Sequence, residues 1–228
     1  MLIDRIIVGN MFTNAYVVST GKKECVLIDP GAASRLILQR LESMNLVPQA
    51  IILTHGHIDH SSGSGKIIDH YATRGHHVPV GIQEDDSNLL GEEGSRRNRE
   101  IFSVFGDQGL QAFSGFPNDL PPAEFFIVDG ESITNTDLVV LHTPGHSPGS
   151  VCLYSEGRQA VFTGDTLFFN SIGRTDLPGA DAEQLRKNVT ERLFTLPPET
   201  RVFPGHGPVT AIEREIKNNP MLSDGATI

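Results

Sequence analysis

The chain has 228 residues, 38% apolar and 20% charged, with 23 glycines and 14 prolines. That is the balance of a turn-rich globular protein, and it excludes fibrous and disordered classes; length alone allows one large domain or two small ones. A formal charge of -10 argues against a general binder of phosphate backbones, which needs clustered Lys and Arg, and no apolar run approaches the ~18 residues of a membrane span.

The opening "MLIDRIIVGN" carries Asp4 and Arg5 inside its apolar stretch, so it reads as a first strand and not as an export signal. A cytoplasmic, reducing setting is therefore expected. Cys25 and Cys152 lie in strand-like runs without metal-type cysteine spacing and read as small buried residues. Further β runs follow at "NAYVVST" and "CVLIDPG", the latter closing on the Asp29-Pro30-Gly31 turn. "ASRLILQRLESMNL" sets Leu36, Ile37, Leu38 and Leu41 on one side of an amphipathic helix, with Ser34 as the expected N-cap. "PQAIILT" is a continuous apolar run of the kind buried on both faces. "GSGKIIDHYATRG" reads as a helix and "HVPVGI" as a strand.

From about Gln83 to Glu124 the pattern turns irregular, with a helix in "RRNREIFSVFG" and then the Phe-, Pro- and Gly-rich "AFSGFPNDLPPAEFF". Too short to bury a core of its own, this stretch reads as an excursion from a single domain spanning 1–228. Its arginines, Arg96–Arg99, read as a solvated helix face. Phe102, Phe105, Phe113 and Phe116 read as packing residues of the excursion, with a pocket wall as the alternative. The second part resembles the first in order. Strands at "LVVLHTPGH", "SVCLYSE" and "QAVFTGDT" precede a helix at "AEQLRKNVTERLFTL" and a strand at "TRVFPGHG". Two β-rich halves with helices outside predict an α/β sandwich.

The chemistry concentrates in "ILTHGHIDHSSG", where His55, His57, Asp59 and His60 fall within six consecutive positions. A zinc-type site needs N, S or O donors at about 2.0–2.3 Å. Four donors on one tight loop do not easily surround a single ion, but they can be shared between two neighbouring ions, each completed from elsewhere. His146, Asp165 and His206 are the candidates: each follows a β-like run with glycine immediately before it, so the backbone can turn sharply. An aspartate can place one oxygen on each of two ions about 3.5–4 Å apart. His70, His76, His77 and His142 read as structural or surface residues.

"THGHIDHSSG", followed in order by "TPGHSPGS", "FTGDT" and "FPGHGP", resembles the motif set of the metallo-β-lactamase fold, over nearly the whole chain. The resemblance implies an αββα sandwich of two mixed sheets flanked by helices. It also implies metal 1 on His55, His57 and His146, metal 2 on Asp59, His60 and His206, and Asp165 bridging. Asp29 is implied as an orienting or turn residue and not a ligand. Two divalent ions are expected, zinc first, with iron or manganese as alternatives.

Within that superfamily "SIGRTDLPGAD", "FPGHGP" and the later "ER…NP" are most similar to compact glyoxalase II-like hydrolases, relatives of hydroxyacylglutathione hydrolase. The implied reaction is attack of a metal-bridging hydroxide, oriented by Asp59, on the carbonyl of S-D-lactoylglutathione or a related acyl-thiol. Arg174 falls where those enzymes carry a basic residue that contacts glutathione, and a guanidinium suits a carboxylate clamp; pairing with Asp176 is its structural alternative. Gly207-Pro208 replace the aromatic-bearing loop that follows the last histidine of the classical enzymes, so most of their glutathione grip is expected to be missing. The rivals are a persulfide dioxygenase holding one iron on His55, His146 and Asp165, and a lactonase or other ester hydrolase of the same fold. The expected partner is a small-molecule thioester, with no nucleic acid and no membrane, and with the chain a monomer or homodimer.

Overall fold

The computed structural model describes residues 2–21, 23–117, 120–133 and 135–222. The chain divides into two units, Met1–Phe126 and Ile127–Ile228. Among the described residues no helix is long and apolar enough to cross a membrane.

The first unit is built on a six-stranded sheet: β1 (Ile3–Val8), β2 (Thr13–Ser19), β3 (Glu24–Ile28), β4 (Val47–Ile52), β5 (Val80–Ile82) and β6 (Phe125–Phe126), paired in that order. The first three strands are antiparallel, and β3 to β6 run parallel. Edge strand β1 alternates, with Ile6 and Val8 buried and Ile7 exposed, as a half-solvated strand should. Strand β2, with a neighbour on each side, is buried along its whole length. Crossovers α1 (Ser34–Met44) and α3 (Ser64–Ala72) connect the parallel strands, with the single turn α2 (Ile58–Ser61) between β4 and α3. Ile37 and Leu41 of α1, and Ile67 and Tyr71 of α3, are four apart and join Val17, Leu27 and Ile51 in one core. Helix α1 begins at Ser34 with Ala33, in the left-handed region at φ 52, as its N-cap. Ser34 is thus the first helical residue and not the cap its side chain suggests.

The excursion lies within this unit, its residues 118 and 119 falling outside the described residues. It opens with a 3-10 turn, Glu84–Leu89, followed by α4 (Gly91–Ser103) and α5 (Gly106–Phe113). Helix α4 starts well before "RRNR", and Glu92 and Glu93 in its first turn complement the helix dipole. Buried Phe102 packs on Phe113 and Phe116, with ring centroids 6.0 and 6.2 Å away. These three aromatics therefore hold the excursion's own helices together.

The second unit carries β7 (Val139–His142), β8 (Val151–Ser155), β9 (Ala160–Gly164), a small hairpin of β10 (Leu167–Phe168) and β11 (Ser171–Ile172), then β12 (Arg201–Pro204) and β13 (Thr210–Ala211). Its five-stranded sheet runs β13-β12-β9-β8-β7, parallel at β12–β9 and antiparallel elsewhere. Helix α6 (Ala182–Asn188) is capped by Asp181, whose Oδ1 accepts from Gln184 N at 2.9 Å. It continues into a π-helical turn, Val189–Leu193, and α7 (Ile212–Asn218) follows β13. Cys152, Val161, Leu185, Val189, Val202 and Ile212 form this unit's core. Both cysteines are free thiols and buried.

Candidate metal centre

In the first unit the donor loop leaves the C-terminal end of β4 beside the turn that follows β3. Parallel neighbours bring their carboxyl ends to one sheet edge, the usual place for a site in open α/β sheets. Asp29 N donates to Ile52 O at 3.2 Å. Glycine at 31 permits the close approach, since a Cβ there would run into the Asp59 carbonyl. His55, His57, Asp59 and His60 are all at most 5% exposed. The His55 ring lies 4.7 Å from that of His57 and 4.2 Å from that of His60, centroid to centroid.

Asp29 decides how two of these rings present themselves. Its Oδ1 accepts from Thr54 N at 2.8 Å, and its Oδ2 from Thr54 Oγ1 at 2.7 Å and His60 Nδ1 at 3.0 Å. A carboxylate only accepts, so Nδ1 of His60 carries a proton, and in the neutral, metal-binding form of the ring Nε2 keeps the lone pair. The Thr54 hydroxyl spends its one hydrogen on Asp29. His55 Nδ1, 3.1 Å from Thr54 Oγ1, must therefore be the donor there, which again leaves Nε2 as the lone-pair nitrogen. His60 Nε2 stands 3.4 Å from Asp59 Oδ2, and Thr13 Oγ1 donates to that same oxygen at 3.1 Å.

In the second unit Asp165 follows β9 and His206 follows β12, its parallel neighbour, with Gly205 N donating to Gly164 O at 2.7 Å. His146 lies in the turn between β7 and β8. Its Nδ1 donates to the backbone carbonyl of Arg174 at 2.9 Å, so in the neutral ring, the form that binds metal, Nε2 is the lone-pair nitrogen. One oxygen of Asp165, Oδ2, faces both His146 Nε2 at 3.6 Å and His206 Nε2 at 3.5 Å. These separations and the 3.4 Å of the His60–Asp59 pair are long for hydrogen bonds. They lie within 0.1 Å of the roughly 3.3–3.5 Å between two donors that each sit about 2.0–2.1 Å from one tetrahedral ion. Imidazole nitrogens and carboxylate oxygens at ion-sharing distances fit divalent metal in both units.

Arg174 contributes its carbonyl to His146, and its guanidinium forks onto Asp176 at 2.7 and 2.8 Å. That pairing raises the arginine's pKa and holds the Asp176 carboxyl below the usual range. His142 Nε2 donates to Pro148 O at 2.9 Å, bracing the turn that carries His146. Thr54, which opens the motif, and Thr13, Asp86 and Asn98, which no motif marks, also serve the donor loop. Asp86 and Asn98 are buried and bond its backbone, at Gly56 N and Ile58 N.

A model of the metallo-beta-lactamase superfamily matches residues 8–206. The chain belongs to that superfamily and has its fold, α/β with mixed sheets flanked by helices; it is a metal-dependent hydrolase of this class. It is 36% identical over 221 residues, 96% of each chain, to the probable metallo-hydrolase YqgX of Bacillus subtilis (strain 168). It is 30% identical over 213 residues, 92% of each chain, to hydroxyacylglutathione hydrolase GloC of Haemophilus influenzae. Among solved structures it is similar to the BLEG-1 B3 metallo-beta-lactamase, with TM-score 0.82, 33% identity and coverage of 97% of this chain and 100% of that one. It is also similar to TTHA1623 in a di-iron-bound form, with TM-score 0.80, 36% identity and coverage of 96% and 100%.

Proposed function

We propose that the chain hydrolyses a thioester, S-D-lactoylglutathione or a related acyl-thiol, with two divalent ions held by the donors of both units acting together. The observation that carries the thioester is the match to a hydroxyacylglutathione hydrolase over 92% of both chains. A single family model running across both units, 8–206, supports reading them as halves of one catalytic domain. In this reading His55, His57 and His146 hold one ion and Asp59, His60 and His206 the other. Asp165 bridges, a role supported by its Oδ2 facing two histidines at nearly equal distance.

Ions held there would supply hydroxide at neutral pH and polarise the thioester carbonyl. The chain's own part is to place and orient. Asp59, steadied by Thr13, orients the attacking oxygen. The leaving thiolate, with a pKa of about 8.5, needs no strong general acid. Neither cysteine competes as a nucleophile, because burial pushes the Cys25 thiol up to about 12 and that of Cys152 up to about 11. Arg174, about half exposed, meets a substrate carboxylate by exchanging it for Asp176.

The test is metal quantification on purified protein coupled to hydrolysis of S-D-lactoylglutathione and a panel of other thioesters, lactones and β-lactams. About two ions per chain and fastest turnover of the glutathione thioester support the reading. One iron per chain, no hydrolysis, and oxygen uptake with glutathione persulfide would overturn it. Fastest turnover of a β-lactam, as the name of the BLEG-1 structure suggests for that protein, would overturn the thioester assignment.

A further inference from the structure

The excursion that interrupts the first unit reaches back to the donor loop through two buried polar side chains. Asp86, in its 3-10 turn, is 1% exposed, and its Oδ2 accepts from Gly56 N at 2.9 Å. Asn98, on α4, is fully buried. Its Oδ1 accepts from Ile58 N at 2.9 Å, and its Nδ2 donates to Gly56 O at 3.3 Å, Leu89 O at 3.0 Å and Gly94 O at 3.1 Å. The backbone groups held on the loop belong to three successive peptide units: His55–Gly56, Gly56–His57 and His57–Ile58. They are the units on either side of His57 and the one before.

Contact there is also close in the van der Waals sense. A Cβ on Gly56 would meet Leu89 Cβ at 2.6 Å and the Asp86 carbonyl at 2.9 Å, so the excursion seats directly on the loop. A loop backbone with its amides tied down holds one course, and the direction of the side chain between them is then set. His55 and His60 are steered from the other side, by Asp29 and Thr54 of the sheet edge. The excursion bonds the backbone around His57.

We propose that Asp86 and Asn98 are positioning residues that aim His57, and through it set the affinity of the ion that His57 serves. The excursion is then a clamp on the donor loop. This rests on the reading above, in which His57 serves one ion while Asp59 and His60 serve the other. Outer partners of metal-binding loops commonly change affinity by 10–100-fold when lost.

The test strips the full-length protein with a chelator and titrates Zn²⁺ back in competition with a chromophoric chelator, following the circular dichroism and thermal midpoint of the metal-free forms in parallel. Asp86→Asn keeps an acceptor for Gly56 N and should stay within about threefold of wild type at both equivalents. Asp86→Ala, and Asn98→Asp, which loses the donors to Gly56 O while keeping an acceptor for Ile58 N, should weaken one equivalent by about 10–100-fold and leave the other nearly unchanged. In a His206→Ala background, where the second ion is already weak, Asn98→Asp should leave no tight equivalent. Equal weakening of both equivalents, unchanged affinity at both, or metal-free variants that fail to fold would each overturn the proposal. Wild-type protein that takes up fewer than two equivalents would instead overturn the two-ion reading beneath it.

Discussion

At the scale of single residues, Asp165 is the donor with the most to lose. One oxygen faces His146 and His206. In the proposed two-ion arrangement Asp165→Ala is therefore expected to empty both positions, while His206→Ala mainly weakens the second; metal content by mass spectrometry checks this, and equal content in wild type and both variants would refute the proposed bridge. The cysteines make the opposite kind of prediction. Burial raises both thiol pKa values, and thiolate, not thiol, is the nucleophile. Neither should be alkylated by iodoacetamide at pH 8 in the native protein, and both should be after denaturation, as read by intact mass. The seven candidate donors were legible in the sequence because histidines crowd one short segment and glycine precedes each of the distant three. Asp29 was legible as their orienter through the family resemblance, and it does bond His60 and Thr54; the more distant residues that steady them were not legible. Thr13 meets Asp59 across 46 positions, Asp86 meets Gly56 across 30 and Asn98 meets Ile58 across 40. Such bonds leave no local pattern in composition or spacing.

Among the elements, α7 shows what the "ER…NP" segment does. Glu215 is fully buried. It accepts from Thr210 Oγ1 at 2.5 Å, Arg214 Nη1 at 2.6 Å, Asn170 N at 2.8 Å and Asn219 Nδ2 at 3.0 Å. Asn219 Nδ2 also donates to Ser171 O at 3.0 Å, and Arg214 lies 3.7 Å over the Phe169 ring. The helix therefore fastens the β10–β11 hairpin, whose turn residue Asn170 sits at φ 57 and whose Phe168 ring is 6.0 Å from that of His206. Glu215→Ala strands an arginine and three neutral donors. It should cost about 3–5 kcal/mol, lowering the calorimetric midpoint by roughly 6–20 °C; a shift under ~2 °C would show that water replaces the carboxylate. Most elements were legible from periodicity or from an apolar run, α1 by the first and β4 by the second most plainly. Helix α5 was not, because Gly106 and Gly109 and the neighbouring Phe and Pro residues mask a helix only eight residues long.

For the whole molecule, metal and stability are linked. Ions that bind only the folded chain stabilise it by mass action, about 2.7 kcal/mol at a hundredfold excess over Kd. Chelation should lower the thermal midpoint by roughly 5–11 °C at this chain length, and re-addition of zinc, iron or manganese should restore it; a midpoint indifferent to chelator would argue against metal bound by the folded state. The fold class was legible because the motif order runs the length of the chain. The two β-rich halves were legible in the repeated order of strands and helices, and the division at Phe126–Ile127 falls between them.

The strictly sequential pairing of β1 to β6 bears on how the protein is born. Each strand of that sheet finds its partner in the strand synthesised just before it, so pairing can keep pace with the ribosome from the N-terminus onward. Asp29, the loop with His55, His57, Asp59 and His60, and the excursion residues Asp86 and Asn98 that bond it all precede Phe126 in the chain. None of His146, Asp165 and His206 has been translated at that point. A nascent chain therefore offers passing metal four of its seven candidate donors first, and in the proposed two-ion arrangement the final geometry waits for the second half of translation.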